Sequence, residues 1–383
     1  MKAGILYPRS NAHPGISMEF MEGIKIYLNQ CGLLNEIHFY AENAGFGGVE
    51  KEVKEKIEKL IIADEVDVLV AYIDQKTLQL LKPMLRAWGK LVIAVSPGAD
   101  YPQTWAAEPN IIHLNLQHAF LCWLSGALAA KGKEAKAAMV TSFYDCGYLH
   151  STLMVNHFTA MGGSIRFNYV NKQQYNETFY INELTDYLSK EKDTDKLLCI
   201  LDSLPASLFY RHLNRFSLAG NLQLYVSPMM LETKALENAG NGFSFSIEGY
   251  TSWSHRINNI ANKKFIEIFS QLNNKIPSLF SLQGWETGMI LKQVFESSNG
   301  NYKDGNELVR HLKSLPIEGP RGMMVLDSAT NYFIAPVLKC LLEKENPELK
   351  KEWIQEVEKD WNQFIANPVT GMVSGWTNTY LCY

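Results

Sequence analysis

The chain has 383 residues, of which 46% are hydrophobic and 20% are charged, and its formal net charge is −4 with an isoelectric point near 6.2. This composition is typical of a globular protein with two or three domains. The slight acidity gives no electrostatic reason to expect nucleic acid or an anionic membrane as a partner. No apolar run approaches the roughly 18–20 residues of a transmembrane helix, so we expect no direct membrane insertion.

The first ten residues, MKAGILYPRS, lead directly into the strand-like GILY, without the basic region and long apolar stretch of a signal peptide. This start predicts either a cytoplasmic protein or a periplasmic or extracellular lipoprotein whose signal has been removed from this chain. The six cysteines lie far apart, with no C-x-x-C pair. We therefore expect neither a zinc motif nor a disulfide scaffold, and most cysteines should be small buried residues.

Strand-like and helix-like segments alternate from the first residues onward. Strands are predicted at GILY (4–7), EIHFYA (36–41), VDVLVAY (66–72) and LVIAV (91–95), with helices over about 17–30, 51–62 and 77–87. Four strands alternating with helices indicate a parallel sheet that is covered on both faces.

The same alternation begins again near residue 117. The second set has strands at 137–141, 164–170, 197–202 and 222–226, and helices over about 117–131, 148–161, up to 189, and 206–218. Later segments predict helices near 260–272 and 283–297, strands at 322–326 and 333–341, and a charged helix over about 347–365. Two sets of about 110 residues each predict two doubly wound, Rossmann-like lobes, and the late helices imply that the chain crosses between them more than once.

Ligands of open parallel sheets bind beyond the carboxyl ends of the strands. The loops at those ends are rich in Ser, Asp, Tyr, Gly and Pro. They are PRSNAHPG (8–15), YIDQKT (72–77), SPGADYPQ (96–103), SFYDCGYLHS (142–151), DSLPAS (202–207) and SPMMLE (227–232). If the two lobes face each other, these loops meet across one cleft, and that cleft is the predicted binding site.

Catalytic and metal motifs are weak by comparison. There is no G-x-S-x-G elbow and no Walker loop, and NAGFGG (43–48) is an incomplete glycine fingerprint after the second strand. Cys146 and His150 could share a helical face, yet a nearby Cys and His do not by themselves make a catalytic pair. His150 and His157 have no third ligand at metal spacing. We therefore expect no catalytic residue, no metal and no cofactor.

Several segments, in this order, resemble the type I periplasmic binding proteins. The resemblance is to the LivJ-like group that binds branched-chain amino acids and to its relative, the cytoplasmic amide sensor of bacterial amidase operons. The matching segments are AGILYPRSNAHPGISMEFMEGIKIYLNQ, EVDVLVAYIDQKTLQLLKPMLRAWGKLVIAVSPGADYPQ, KAAMVTSFYDCGYLHSTLMVNHFTAMGGSI and GPRGMMVLD. Together they cover nearly the whole chain.

This resemblance implies an α/β fold with two lobes joined by a three-crossover hinge. The N-terminal lobe would comprise residues 1–117 plus 249–328, and the C-terminal lobe 118–248 plus 329–383. Such proteins enclose a small-molecule ligand by hinge closure rather than catalyse a reaction. The implied partners are that ligand and the membrane components of an ABC transporter. A sensor module of the same fold is the alternative, and an enzyme on a Rossmann-like fold is a third reading.

Residue by residue, the resemblance implies a ligand site in the strand-end loops. Asp100 stands where a hydroxyl donor is expected, and an ionised Asp has no proton to donate. Met229 stands near the position of the acid that would hold an ammonium group. These departures disfavour a plain aliphatic amino acid, and with Asp74 and Asp145 they favour a neutral polar or cationic ligand. The candidate ligand-binding residues are Ser10, Asn11, Asp74, Gln75, Ser96, Gly98, Asp100, Tyr144, Tyr148 and Met229.

Overall fold

The structure is a computed structural model, and it describes most of the chain. The described residues are 1–11, 13–45, 49–132, 134–142, 148–171, 181–191, 193–216, 222–240, 242–344, 349–354, 357–367 and Tyr380. Their strands are β1 (Lys2–Tyr7), β2 (His38–Asn43), β3 (Val68–Tyr72), β4 (Val92–Ser96), β5 (Ile111–Asn115), β6 (Lys136–Ser142), β7 (Ser164–Asn171), β8 (Lys196–Ile200), β9 (Gln223–Val226), β10 (Ser246–Thr251), β11 (Ile317–Gly319), β12 (Gly322–Leu326), β13 (Phe333–Ile334), β14 (Val337–Leu342) and β15 (Leu349–Ile354).

Helices alternate with these strands over most of the chain. They are α1 (Ile16–Gln30), α2 (Glu50–Glu58), α3 (Gln75–Trp88), α4 (His118–Ala129), α5 (Tyr148–Ala160), α6 (Asn182–Lys190), α7 (Ser203–Asn214), α8 (Thr233–Ala239), α9 (Ile260–Asn273), α10 (Leu279–Ser297), α11 (Gly305–Ser314) and α12 (Glu358–Ala366). A π-helical turn, Lys59–Ala63, extends α2, and a 3₁₀ turn, Pro228–Leu231, precedes α8.

The first sheet has the strand order β2-β1-β3-β4-β5, and all of its pairings are parallel. This confirms the α/β class that the alternating pattern predicted. The predicted set of four strands was one short, because β5 was not foreseen. β5 carries a polar residue, His113, whose ring is buried by stacking on Tyr332 with centroids 3.9 Å apart. Such a long-range contact leaves no local signal.

The second sheet has the order β15-β14-β10-β9-β8-β6-β7. Strands β6 to β10 pair in parallel, whereas β14 and β15 are antiparallel to their neighbours. The predicted charged helix over 347–365 was therefore wrong in its first half, where β15 lies at the sheet edge and only α12 is helical. Lysines are common on edge strands because they discourage pairing with other chains, so the exposed Lys350 suits this position.

The chain passes between the two sheets more than once. It leaves the first sheet after β5, returns after β10 to α9 and α10, which pack along α1, and enters the second sheet again at β14. The predicted single strand over 333–341 is split at Pro336, which lacks a backbone donor. Its first part, β13, pairs with β12, and its second part, β14, pairs with β10. The lobe boundaries at 117, 248 and 328 stay a prediction, and β10 itself extends to Thr251.

Helix α10 supports the carboxyl edge of the first sheet. Gly284 lets it approach α1 closely, because a Cβ at this position would lie 2.0 Å from the carbonyl oxygen of Phe20. The neighbouring Gln283 accepts a hydrogen bond from the Tyr72 hydroxyl at 2.9 Å and donates one to the Ser96 carbonyl at 2.7 Å. The ends of β3 and β4, which precede two candidate loops, are thus tied to one buried side chain.

Two expectations about the whole chain can be compared with the described residues. Cys122, Cys199 and Cys340 are fully buried, as expected for small apolar side chains. Among the helices that the structure describes, none has both the length and the apolar character needed to cross a bilayer.

Candidate functional site

The carboxyl ends of the two sheets meet at a polar contact. His13 lies in the loop after β1, and its Nε2 is 3.4 Å from Oδ2 of Asp202, which follows β8. Ser10, also after β1, accepts a hydrogen bond from the His13 backbone at 3.0 Å. Ser10 and Asp202 are both buried, with 4% of each exposed. Loops from the carboxyl ends of the two sheets are therefore in direct contact, and the ligand cleft itself stays a prediction.

An aromatic side chain from the C-terminal part of the chain, Tyr380, lies beside this contact. The ring of Tyr380 meets His13 edge-on with centroids 5.0 Å apart, Phe280 at 5.3 Å and His118 at 5.6 Å. His13 follows β1, Phe280 lies in the first turn of α10, and His118 begins α4. Tyr380 is only 2% exposed, so three rings from separate parts of the fold enclose it.

Tyr380 also makes polar contacts on both sides of the cleft. Its phenol hydroxyl donates a hydrogen bond to Oε1 of Glu232, which follows the 3₁₀ turn after β9. Its backbone carbonyl accepts a hydrogen bond from the Ser10 hydroxyl at 2.5 Å. One residue thus links the first loop of one sheet to the last predicted loop of the other.

The titratable groups of the cleft influence each other strongly. Burial raises the pKa of Glu232 to about 7, assisted by the charge of Asp202 and opposed by the hydrogen bond from Tyr380. Burial opposes protonation of His13, but its hydrogen bond to Asp202 and the charges of Asp202 and Glu232 outweigh this effect and raise its pKa. The cleft therefore holds a histidine with a raised pKa beside a carboxyl group whose pKa is close to neutral.

Two neutral imidazoles lie next to this cluster. The rings of His118 and His150 are 6.2 Å apart, and both side chains are at least 99% buried. Burial lowers the pKa of His150 to about 4 and also lowers that of His118. His157, seven positions after His150, instead stacks on Trp123 with ring centroids 3.7 Å apart. Cys146, the other half of the weighed pair, lies outside the described residues.

Candidate residues of the first sheet have defined structural partners. Asp74 caps α3 by accepting a hydrogen bond from the backbone of Thr77 at 2.6 Å. Gln75 is buried, and its Oε1 accepts a hydrogen bond from the Tyr332 hydroxyl at 3.1 Å. Its Nε2 has no hydrogen-bond partner in the part of the chain that the structure describes.

Asp100 requires a correction. The sequence reasoning treated it as an ionised group with no proton to donate. Burial, and next the charge of Asp74, raise its pKa to about 7. The carboxyl therefore keeps its proton for a large part of the time at neutral pH, when it can donate a hydrogen bond.

The remaining candidates differ in their surroundings. Ser96 ends β4, and its hydroxyl accepts a hydrogen bond from the backbone of Gly98 at 3.2 Å. Met229 is fully buried in the hydrophobic core, and Asn11 is exposed. Tyr144 and the side chain of Tyr148 lie outside the described residues, as does part of the glycine-rich 43–48 segment. Among the described residues, no group of three or more His, Cys, Asp or Glu side chains is arranged to hold a metal ion.

Sequence reasoning missed most of the residues that line the meeting point of the sheets. His13, Asp202 and Glu232 lie within strand-end loops that were predicted to form the cleft, so their positions carried a signal that was not used. His118 and Tyr380 lie outside every predicted loop. Only the tertiary fold brings them to the cleft.

Comparison with known proteins places this arrangement in a family. A family model described as "Periplasmic binding protein" matches residues 1–338. The chain belongs to the periplasmic binding protein family. This confirms the resemblance to type I periplasmic binding proteins that the sequence segments indicated. No curated protein sequence gives a significant match to the chain.

Solved structures of periplasmic binding proteins share the fold over almost the full length. A solute-binding protein of an ABC transporter from R. palustris, in complex with benzoate, has a TM-score of 0.73 at 18% identity and covers 92% of this chain and 95% of its own. A second one from R. palustris, in complex with 4-hydroxybenzoate, has a TM-score of 0.71 at 16% identity, with coverages of 93% and 96%. The leucine-binding protein LivK from Thermotoga maritima has a TM-score of 0.65 at 14% identity, with coverages of 93% and 99%.

One prediction concerns the backbone of the loop after β4 in this periplasmic binding protein. Gly98 has φ +71°, and a Cβ there would lie 2.8 Å from the backbone nitrogen of Gln117. Gly32 has the same φ, but a Cβ added to it would have nothing within 4 Å. We expect Gly32→Ala to lose about 1 kcal/mol of unfolding free energy from the left-handed backbone alone. Gly98→Ala should lose roughly 3 kcal/mol because the loop must also shift. Urea unfolding measures both, and equal losses would contradict the close packing.

A second prediction concerns Asp100. Its folded-state pKa of about 7 lies above the ordinary value of 3.8, so the folded state binds this proton more tightly than the unfolded state does. The stabilisation is complete below pH 3.8 and is lost as the pH rises through 7. The natural chain should lose this stabilisation between pH 5 and pH 8, whereas Asp100→Asn has no such proton to lose. The melting temperature of Asp100→Asn minus that of the natural chain should therefore be about 2–3 °C higher at pH 8 than at pH 5.

Calorimetry of both chains at the two pH values measures this change. Asp186→Asn, on the exposed side of α6, is the matched control and should show no such gain. A melting-temperature difference for Asp100→Asn that stays constant with pH would show that the carboxyl does not titrate in this range.

Proposed function

We propose that this chain encloses a small solute between its two sheets and delivers it to the membrane components of an ABC transporter. The family supports the first part of this function in general terms, since its members bind substrates and the solved relatives are solute-binding proteins of ABC transporters. Periplasmic or extracellular location follows from the same proposal, and no catalytic step is needed.

The observation that carries the proposal is the contact between His13 and Asp202. It joins loops from the carboxyl ends of β1 and β8, which are the positions where open parallel sheets bind ligands. Loops from two sheets that meet at a buried polar contact can trap a solute when they close and release it when they open. The charged and hydrogen-bonding groups of these loops would orient the solute within an otherwise apolar surround.

The class of solute is open between two chemistries. The sequence favoured a small polar, amino-acid-like ligand that is neutral or cationic, because of its aspartates. The solved relatives were named for benzoate, 4-hydroxybenzoate and leucine. Aromatic carboxylates therefore belong in the test beside amino acids, amides, polyamines, sugars and nucleosides.

The experiment is a thermal-shift screen of these classes with protein that has been unfolded, dialysed and refolded to remove any bound solute. A ligand at 100 times its dissociation constant stabilises the folded state by about 2.7 kcal/mol, which is a rise of a few degrees. We expect one class to raise the melting temperature and to be recovered unchanged by mass spectrometry. Small-angle X-ray scattering should show a smaller radius of gyration with that ligand.

Two variants locate the binding in the cleft. His13→Ala should weaken binding of the identified ligand by about tenfold or more, because it removes the imidazole through which the two sheets are in contact. His38→Ala, on an exposed side chain at the opposite end of the first sheet, should leave the affinity unchanged. A screen with no shift in any class, or equal effects of the two variants, would contradict the proposal.

The alternative is a sensor that uses the same closure to contact a regulator. Both functions require ligand binding, and they differ in the partner that recognises the closed form. Cells that lack this protein should lose uptake of the identified solute if it serves a transporter. Unchanged uptake together with a lost transcriptional or signalling response would favour the sensor.

A further inference from the structure

We propose that the Tyr380 side chain occupies the position of the ligand in the cleft, and that the natural ligand class is a phenol that binds by displacing it. This rests on the proposed function, because it takes the space between His13 and Glu232 as the binding site. Tyr380 is then a built-in competitor rather than part of the wall.

The shape of the space suits an aromatic ring. Three rings meet Tyr380 at steep angles, with interplanar angles of 88° for His13, 88° for Phe280 and 66° for His118. Edge-to-face contacts at centroid distances of 4.5–7 Å are the preferred arrangement of aromatic pairs. A flat ring gains from all three contacts at once, whereas an aliphatic chain or a sugar would not reproduce them.

The polar end of the space suits a hydroxyl group. The Tyr380 hydroxyl donates to Glu232, and Asp202 lies close enough to Glu232 to affect its ionisation. These two acidic side chains attract a hydrogen-bond donor of the ligand and disfavour a carboxylate of the ligand at this end. A ring that carries a hydroxyl group, which is a phenol, satisfies both the cage and the acceptor.

A solute cannot share this space with Tyr380. The residue is 98% buried, and its ring, hydroxyl and carbonyl contact His13, Glu232 and Ser10 respectively. Any solute that reaches these groups must take the place of the phenol. With an internal competitor, the apparent affinity of a ligand equals its intrinsic affinity multiplied by the fraction of ligand-free molecules in which the competitor is out of the site. Removing the competitor should therefore tighten binding.

The test uses the full chain and p-cresol, which is the side chain of tyrosine as a free molecule. In Tyr380→Ala, p-cresol should raise the melting temperature with an affinity at least tenfold tighter than in the natural chain. Toluene, which lacks the hydroxyl, should bind Tyr380→Ala about tenfold more weakly than p-cresol. Tyr302→Ala is the matched control. Tyr302 is also buried, but it precedes α11, whose first residue packs on Lys90 at the amino end of β4, away from the cleft.

Each outcome tests whether Tyr380 is the occupant of the cleft, which means that its side chain takes the position of the ligand, or only a part of the wall. Weaker or equal p-cresol binding in Tyr380→Ala would overturn the proposal and make Tyr380 a wall of the site. Equal rescue of Tyr302→Ala by p-cresol would also overturn it, because any tyrosine-sized cavity would then suffice. Should Tyr380→Ala fail to fold, Tyr380→Phe keeps the ring and loses only the bond to Glu232, and p-cresol should then bind more tightly than to the natural chain.

This test also separates the occupant from the proposed function. A solute without a phenol that binds the natural chain and Tyr380→Ala equally would uphold solute binding and overturn the occupant. Tight p-cresol binding by Tyr380→Ala and weaker binding by the natural chain, in cells whose uptake of phenols does not depend on this protein, would uphold the occupant and contradict delivery to a transporter.

Discussion

The contact between His13 and Asp202 is the interaction on which the candidate site depends. A buried carboxylate is costly unless it is paired, and Asp202 lies with 4% of its surface exposed at the end of β8. Its partner comes from the loop after β1, in the other sheet. The pairing that relieves this cost therefore also holds the two carboxyl edges together. A ligand that offered its own hydrogen bonds to these groups would act on the balance between open and closed arrangements, because it would bind one of them better than the other.

The first sheet presents its share of the site from a rigid base. Gln283 ties the ends of β3 and β4 to α10, and Gly284 allows α10 to lie directly on α1. The same helix, α10, also carries buried Glu286, which forms an ion pair with buried Arg321. Arg321 in turn donates a hydrogen bond to the carbonyl of Asn115 at the end of β5. Three strand ends are thus fixed by one helix. A rigid base of this kind favours motion of one sheet against the other over distortion within the loops.

The elements that sequence reasoning predicted well were those with a local signal. The apolar strands at 66–72 and 91–95 and the helix near 77–87 follow from periodicity alone, and β3, β4 and α3 lie there. The elements it missed depend on distant partners. The sequence of β15 has the pattern of a charged helix, and it forms a strand because it pairs with β14. His113 is buried in β5 because Tyr332 stacks on it. Glu232 lay in a predicted loop, but nothing local relates it to Tyr380, 148 positions later.

Tyr380 shows why a site can be harder to predict than a fold. Many weak patterns along the chain indicate the same fold, so a few wrongly predicted elements do not change the predicted fold. The contents of the cleft depend on single side chains that approach from separate parts of the sequence. A side chain of the same molecule competes for the cleft at an effective concentration that does not depend on the amount of protein. A solute present at lower concentration must therefore bind with higher intrinsic affinity to replace it. The cleft would then respond only to solutes of high intrinsic affinity or high concentration, while the discrimination between solutes would still come from the shape and charge of its walls.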